Sequence, residues 1–109
     1  MGKRKISDKI VAEFVKRVRE KFGAEMILWF GSRAKGEALR TSDYDFLVVS
    51  KVFKGVFFPQ RTSMVYREVL DLPASFDILC YTPEEFYRKK NELCLVKEAV
   101  REGMTVFKV

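Results

Sequence analysis

From Tyr44 to Ser50 the chain reads YDFLVVS, and after Asp45 both faces of that stretch are apolar. Such a strand belongs inside a sheet, with helices covering both sides. EMILWF (Glu25–Phe30) and FDILCY (Phe76–Tyr81) read as two further strands, and MTVFKV (104–109) as a short strand or extended tail. Ile6, Ile10, Phe14, Val18 and Phe22 recur every four residues, which predicts an amphipathic helix closed by Gly23. TSMVYREVLDL (Thr62–Leu72) has helical spacing at Val65 and Val69, and the aromatic stretch before it, KVFKGVFFPQR (Lys51–Arg61), reads as a loop. Thr82, Pro83 and Glu85 form the signature of a capping box, predicting a helix that runs to about Glu102 and stops at Gly103. Helices alternating with three or four strands place the chain in the α/β (α+β) class, with a small mixed β-sheet flanked by helices. Its 109 residues suit one domain, with no repeat or linker to divide it.

Several chemistries are excluded by what is missing. The chain contains no histidine, which removes Ser-His-Asp and Cys-His catalysts and any His-ligated metal. Cys80 and Cys94 lie in apolar stretches without zinc spacing and read as buried, reduced thiols. No apolar run approaches the ~20 residues of a membrane span, and MGKRKISDK lacks the apolar core of a signal peptide, so the expectation is a soluble cytoplasmic protein. One Asn and one Gln beside 33% charged residues predict a thermophile protein with a melting midpoint well above ~50 °C. The net charge of +6 suits nucleotides, nucleic acid or an acidic partner alike. The Lys9, Lys16, Arg17 and Arg19 face of the first helix reads as solvated surface, and direct nucleic-acid binding is the weaker reading.

The chemistry gathers around the second strand. Asp43 and Asp45 are two apart, which puts both carboxylates on one face of a strand, roughly 6.5–7 Å apart at the backbone. Such neighbours repel and raise one another's pKa unless a cation lies between them, and hard oxygen ligands suit Mg²⁺. A lone D-x-D also occurs in turns, but here other features accompany it. Gly31-Ser32 follows directly on a strand and opens a short helix, where free backbone N–H groups and the Ser32 hydroxyl make a phosphate cradle. Arg33 and Lys35 add positive charge toward phosphates or are simply solvated. Glu37-Ala38 stands where a Walker A loop needs Lys-Ser/Thr, which excludes that motif. Asp77, near the start of an apolar strand, needs a partner or a task. If its strand pairs beside Tyr44–Ser50, three carboxylates meet a phosphate cradle, which points to two-metal phosphoryl or nucleotidyl transfer.

Gly31-Ser32, ten residues, then Asp43-Tyr44-Asp45 resembles the G-S-x10-D-x-D signature of the polymerase-beta-like nucleotidyltransferase superfamily. The compact form GSRAKGEALRTSDYDFLVV is similar to minimal nucleotidyltransferase (MNT) domains, and the likeness runs on through REGMTVF, so residues 1–109 form a single such domain. The resemblance implies that Gly31 and Ser32 bind the triphosphate, with Arg33 and Ser42 also nucleotide-binding. It implies that Asp43 and Asp45 ligate Mg²⁺, and that Asp77 binds the catalytic metal and helps deprotonate the attacking hydroxyl. Two Mg²⁺ ions and ATP as substrate follow from the same likeness. So does a HEPN-domain toxin partner whose tyrosine receives AMP, in a toxin–antitoxin pair. The alternatives are an MNT-fold antitoxin that neutralises its partner by stoichiometric binding, and a transferase acting on a small molecule or RNA ends. Phe53, Phe57 and Phe58 are open to two readings, a partner-docking surface or a plug for the domain's own core.

Overall fold

The computed structural model describes residues 8–36, 43–91, 97, 99–101 and 103–109. Ile6, Ser42, Cys94 and Glu102 lie outside the described residues. The elements run α1 (Lys9–Phe22), β1 (Met26–Phe30), α2 (Gly31–Lys35), β2 (Tyr44–Val49), a 3₁₀ turn (Lys51–Phe53), α3 (Phe58–Arg67), β3 (Phe76–Tyr81), α4 (Pro83–Lys89) and β4 (Met104–Lys108). The strands form one mixed sheet in the order β3-β2-β1-β4. β1 is antiparallel to β2 and β4, while β2 and β3 are parallel.

β2 is central and both its faces are covered, as its apolar residues demand. On one face Phe46 and Val48 meet Phe14 and Val18 of α1, Val65 of α3, and Phe76 and Ile78 of β3. The Phe14 and Phe46 rings stack at 3.9 Å, nearly parallel. On the other face Leu47 and Val49 meet Leu28, Tyr81, Phe86 of α4 and Ala99. No helix among the described residues is long and apolar enough to cross a membrane. Cys80 is buried in the first of these layers and carries a free thiol, pushed up to about 12 by burial.

Helix boundaries depart from the sequence expectation for local reasons. Asp8 caps α1, its Oδ1 accepting from the N–H groups of Ile10 (2.9 Å) and Val11 (3.3 Å). The far end closes as expected, with Gly23 at φ 57° donating to the Arg19 carbonyl. The expected loop from Lys51 to Arg61 divides into the 3₁₀ turn and the start of α3, where Pro59 serves the first helical turn rather than breaking it. α3 ends at Arg67, five residues earlier than the spacing implied. The capping box on Thr82 and Glu85 forms, but α4 stops at Lys89, with helical backbone again at residue 97 and residues 99–101. One helix from Thr82 to about Glu102 is therefore corrected, because Lys90 and Asn91 turn the chain.

A buried ion pair had no local signal in the sequence. Arg61 is 5% exposed. Its guanidinium donates to both Glu85 carboxylate oxygens (2.5 and 3.1 Å) and to the carbonyls of Cys80 (3.2 Å) and Val56 (2.9 Å). It ties α3 to the cap of α4.

Candidate functional site

The aspartates converge because of strand register. β2 and β3 run parallel with Asp45 aligned to Asp77. Aligned residues of neighbouring strands share a face, so both carboxylates leave the sheet on the side of Leu47 and Leu79. Asp43 is exposed immediately before β2, Asp45 is partly buried, and Asp77 is exposed near the start of an edge strand. Burial pushes the Asp45 carboxyl above the ordinary carboxylate range, and the charges of Asp77 and then Asp43 push it further. Asp45 thus feels both neighbouring charges.

Gly31 completes this corner. Phe30, the last residue of β1, lies opposite Asp45. The next residue therefore opens α2 directly beside the Asp45 carboxylate. A Cβ on Gly31 would collide with Asp45 Oδ2, and the backbone there sits at φ 82°, a left-handed conformation that favours glycine. Gly31→Ala is expected to lower stability by ~1–3 kcal/mol and to cut nucleotide transfer at least about a hundredfold by displacing Asp45. Thermal melting and a transfer assay on the same preparation would check both effects.

Tyr44, between the two aspartates, points the opposite way. Its buried ring packs near Trp29 and Phe46, and its hydroxyl donates to Asp8 Oδ2 at 2.9 Å. Burial, then that bond, raises the Tyr44 pKa. Arg33 lies with its guanidinium 4.4 Å over the Tyr44 ring. Its guanidinium therefore packs against a side chain that leaves β2 on the face opposite Asp45. Tyr44 thus links the start of α1, α2 and the D-x-D segment. Asp8 is a cap-type residue and so a local signal for this anchor, but it falls between Ile6 and Ile10, inside the four-residue periodicity that masks it. Ser32 is the second residue of α2, and the short helix expected after Gly31 is present.

The donor set suits a hard divalent cation, being all carboxylate and held under mutual repulsion. Among the described residues no group of three or more His, Cys, Asp or Glu side chains forms a ready-made metal site. Mg²⁺ commonly binds through one or two carboxylates plus substrate phosphates, so Asp45 and Asp77, with Asp43 beside them, fit an ion delivered with a nucleotide.

Comparison with known proteins agrees with this chemistry. The family described as "Nucleotidyltransferase domain" matches residues 11–103. A Methanocaldococcus jannaschii protein, provisionally named a protein adenylyltransferase, is 41% identical over 49 residues, which cover 43% of this chain and 33% of that protein. The match thus spans about a third of the relative's length. A Sulfolobus solfataricus crystal structure, provisionally named a nucleotidyltransferase, superposes with a TM-score of 0.64 at 30% identity, over 92% of this chain and 78% of that one. A crystal structure described as a toxin–antitoxin with AMP-PNP gives a TM-score of 0.66 at 15% identity, over 95% of this chain and 75% of that one, a likeness of fold.

Proposed function

This chain belongs to the nucleotidyltransferase domain family, and from that membership we propose that it moves AMP from ATP onto a hydroxyl of a partner protein. The acceptor is a tyrosine of a HEPN-domain toxin, and the chain acts as its antitoxin. The observation that carries the reading is the alignment of Asp45 with Asp77, with Gly31 pressed against the Asp45 carboxylate. The provisional name of the Methanocaldococcus jannaschii relative supports protein as the acceptor class. The fold shared with a toxin–antitoxin structure holding AMP-PNP supports the pairing.

Asp43, Asp45 and Asp77 are the residues that would hold two Mg²⁺ ions. Bound metal supplies positive charge that offsets charge growing on the phosphates and favours ionisation of the attacking hydroxyl, whose ordinary pKa is ~10 for tyrosine. Gly31 and Ser32 grip the triphosphate through the first N–H groups of α2, with Ser42 as a further nucleotide contact; Arg33 would join them only by leaving its place over the Tyr44 ring. The tyrosine oxygen attacks the α-phosphorus in line, a new P–O bond forms, the α–β bridging bond breaks, and pyrophosphate leaves. Asp77, exposed at the strand's mouth, takes the hydroxyl proton. Asp45 keeps its place against Gly31 throughout.

The test is intact-mass spectrometry of a candidate HEPN-domain partner protein from the same organism, after incubation with the chain, ATP and Mg²⁺. A gain of one or more AMP units, absent with Asp43→Asn, is the expected result. A stable complex without any gain would replace the reading with neutralisation by stoichiometric contact.

A further inference from the structure

The aromatic stretch after β2 separates into core and surface. Phe53 is fully buried and its ring lies 6.1 Å from that of Phe22. Phe57 stays 70% exposed, Val52 49% and Phe58 39%. Solitary exposed apolar residues are ordinary, but three within seven positions are not. Phe58 is also mounted rigidly. Its ring lies 5.4 Å from that of Tyr81 and 5.6 Å from the Arg61 guanidinium, which the Glu85 pair and two carbonyls lock in place. Ordering entropy at this surface is thus already lost before anything binds, as at preorganised interfaces.

The surrounding charge selects the occupant. Lys51 and Lys54 are both exposed within the same segment. Lys51 meets Glu25 only at 3.8 Å and its side chain remains 83% exposed. A second copy of the chain would bring the same cations and the same net charge of +6, which opposes self-association and favours an acidic partner. Single-stranded RNA is the lesser fit. It needs successive aromatic platforms, and Phe58 is already engaged, leaving only the Phe57 ring to stack.

We propose that Val52, Phe57 and Phe58 form the apolar centre, and Lys51 and Lys54 the rim, of a surface that docks an acidic protein. The inference rests on the proposed function in one respect: the docked protein is the one that receives AMP. Tyr81, beneath Phe58, is four residues along β3 from Asp77, about 13 Å away at the usual rise. Docking therefore leaves the carboxylates open, and the partner reaches them with a segment separate from the one it uses to bind.

The experiment measures the Kd of the HEPN-domain protein used above for the wild-type chain, Phe57→Asp, and the Lys51→Glu/Lys54→Glu double variant. Phe57 is the N-cap of α3 without a capping side chain, so aspartate there supports the helix and the variant keeps its fold. The expected result is a Kd raised at least about thirtyfold in Phe57→Asp, with ATP binding unchanged. The lysine variant should bind more slowly and lose salt dependence. Failure of the wild-type chain to bind, or an unchanged Kd in Phe57→Asp, overturns the surface, and in the second case AMP transfer can still stand. Docking that depends on Phe57 without AMP transfer supports the surface and overturns the proposed chemistry. Displacement of the protein by a short poly-uridine strand, or a wild-type dimer that Phe57→Asp disperses, overturns the inference in favour of RNA or a second copy.

Discussion

Replacing Asp45 by asparagine is expected to cut AMP transfer at least about a thousandfold and, in nucleotide-free protein, to raise Tm by a few degrees. The two effects have one origin. Asp45 is partly buried, registered beside Asp77 and preceded by Asp43, so its ionised form is disfavoured in the folded chain. A carboxylate raised in this way keeps its proton to higher pH when folded than when unfolded. Its contribution to folding is therefore favourable as pH falls through that window and adverse as pH rises through it. Asparagine keeps the shape beside Gly31 and removes the charge. Melting curves at pH 5 and pH 8, without metal, should show the variant's advantage at pH 8 and its shrinkage at pH 5. ATP with Mg²⁺ should then stabilise the wild-type chain and not the variant. A variant that melts below the wild type at pH 8 would defeat the argument.

Glu85→Ala is expected to cost about 3 kcal/mol, a large share of the 5–15 kcal/mol typical of a domain. It leaves the Arg61 guanidinium buried without its counter-charge, with the Cys80 and Val56 carbonyls as its remaining hydrogen-bond partners among the described residues. It also removes the carboxylate that bonds the Thr82 N–H at the start of α4. The figure sits at the low end for a buried pair because the Glu85 side chain is 27% exposed. The pH dependence carries its own signature. Arg61, with the Thr82 cap, holds the Glu85 carboxyl down to about 2, against an ordinary value of 4.5. Stability from this depressed group is complete above about 4.5 and drains away as pH falls toward about 2. Urea unfolding between pH 7 and pH 2.5 should show that decline in the wild type and a shallower one in Glu85→Ala. Parallel curves would place the acid sensitivity elsewhere.

How much of this was legible in the residues depends on distance along the chain. The limits of β3 are legible to the residue and those of β2 to within one, because a largely apolar run between turn signals is a local signal. The capping box on Thr82 was equally local. The bounds of α3 were not, since Pro59 has one appearance in a loop and the same appearance in a helix's first turn. Phe53 and Phe57 are the same residue type four positions apart, yet one is core and the other surface, a choice made by tertiary packing. Arg61 gave no warning of its burial, because its partners Cys80 and Glu85 lie 19 and 24 residues away. The spacing of Asp43 and Asp45 could be read directly. The alignment of Asp77 with Asp45 could be posed only as a condition, since register between strands separated by a helix is not written in either strand. The phosphate-cradle assignment of Gly31 had a local pattern behind it, but its contact with Asp45 needed β1 to lie antiparallel to β2.

The pairing of β2 with β3 also makes the domain its own reporter. Side chains alternate faces with each residue, so slipping β3 by one position would turn Asp77 to the opposite face while leaving helix and strand content almost untouched. Such a molecule would pass as native by circular dichroism and by size, yet be inert. Turnover per mole of protein would then count correctly zipped sheets, and an engineered variant with falling specific activity and an unchanged spectrum would reveal a threading error rather than damaged chemistry.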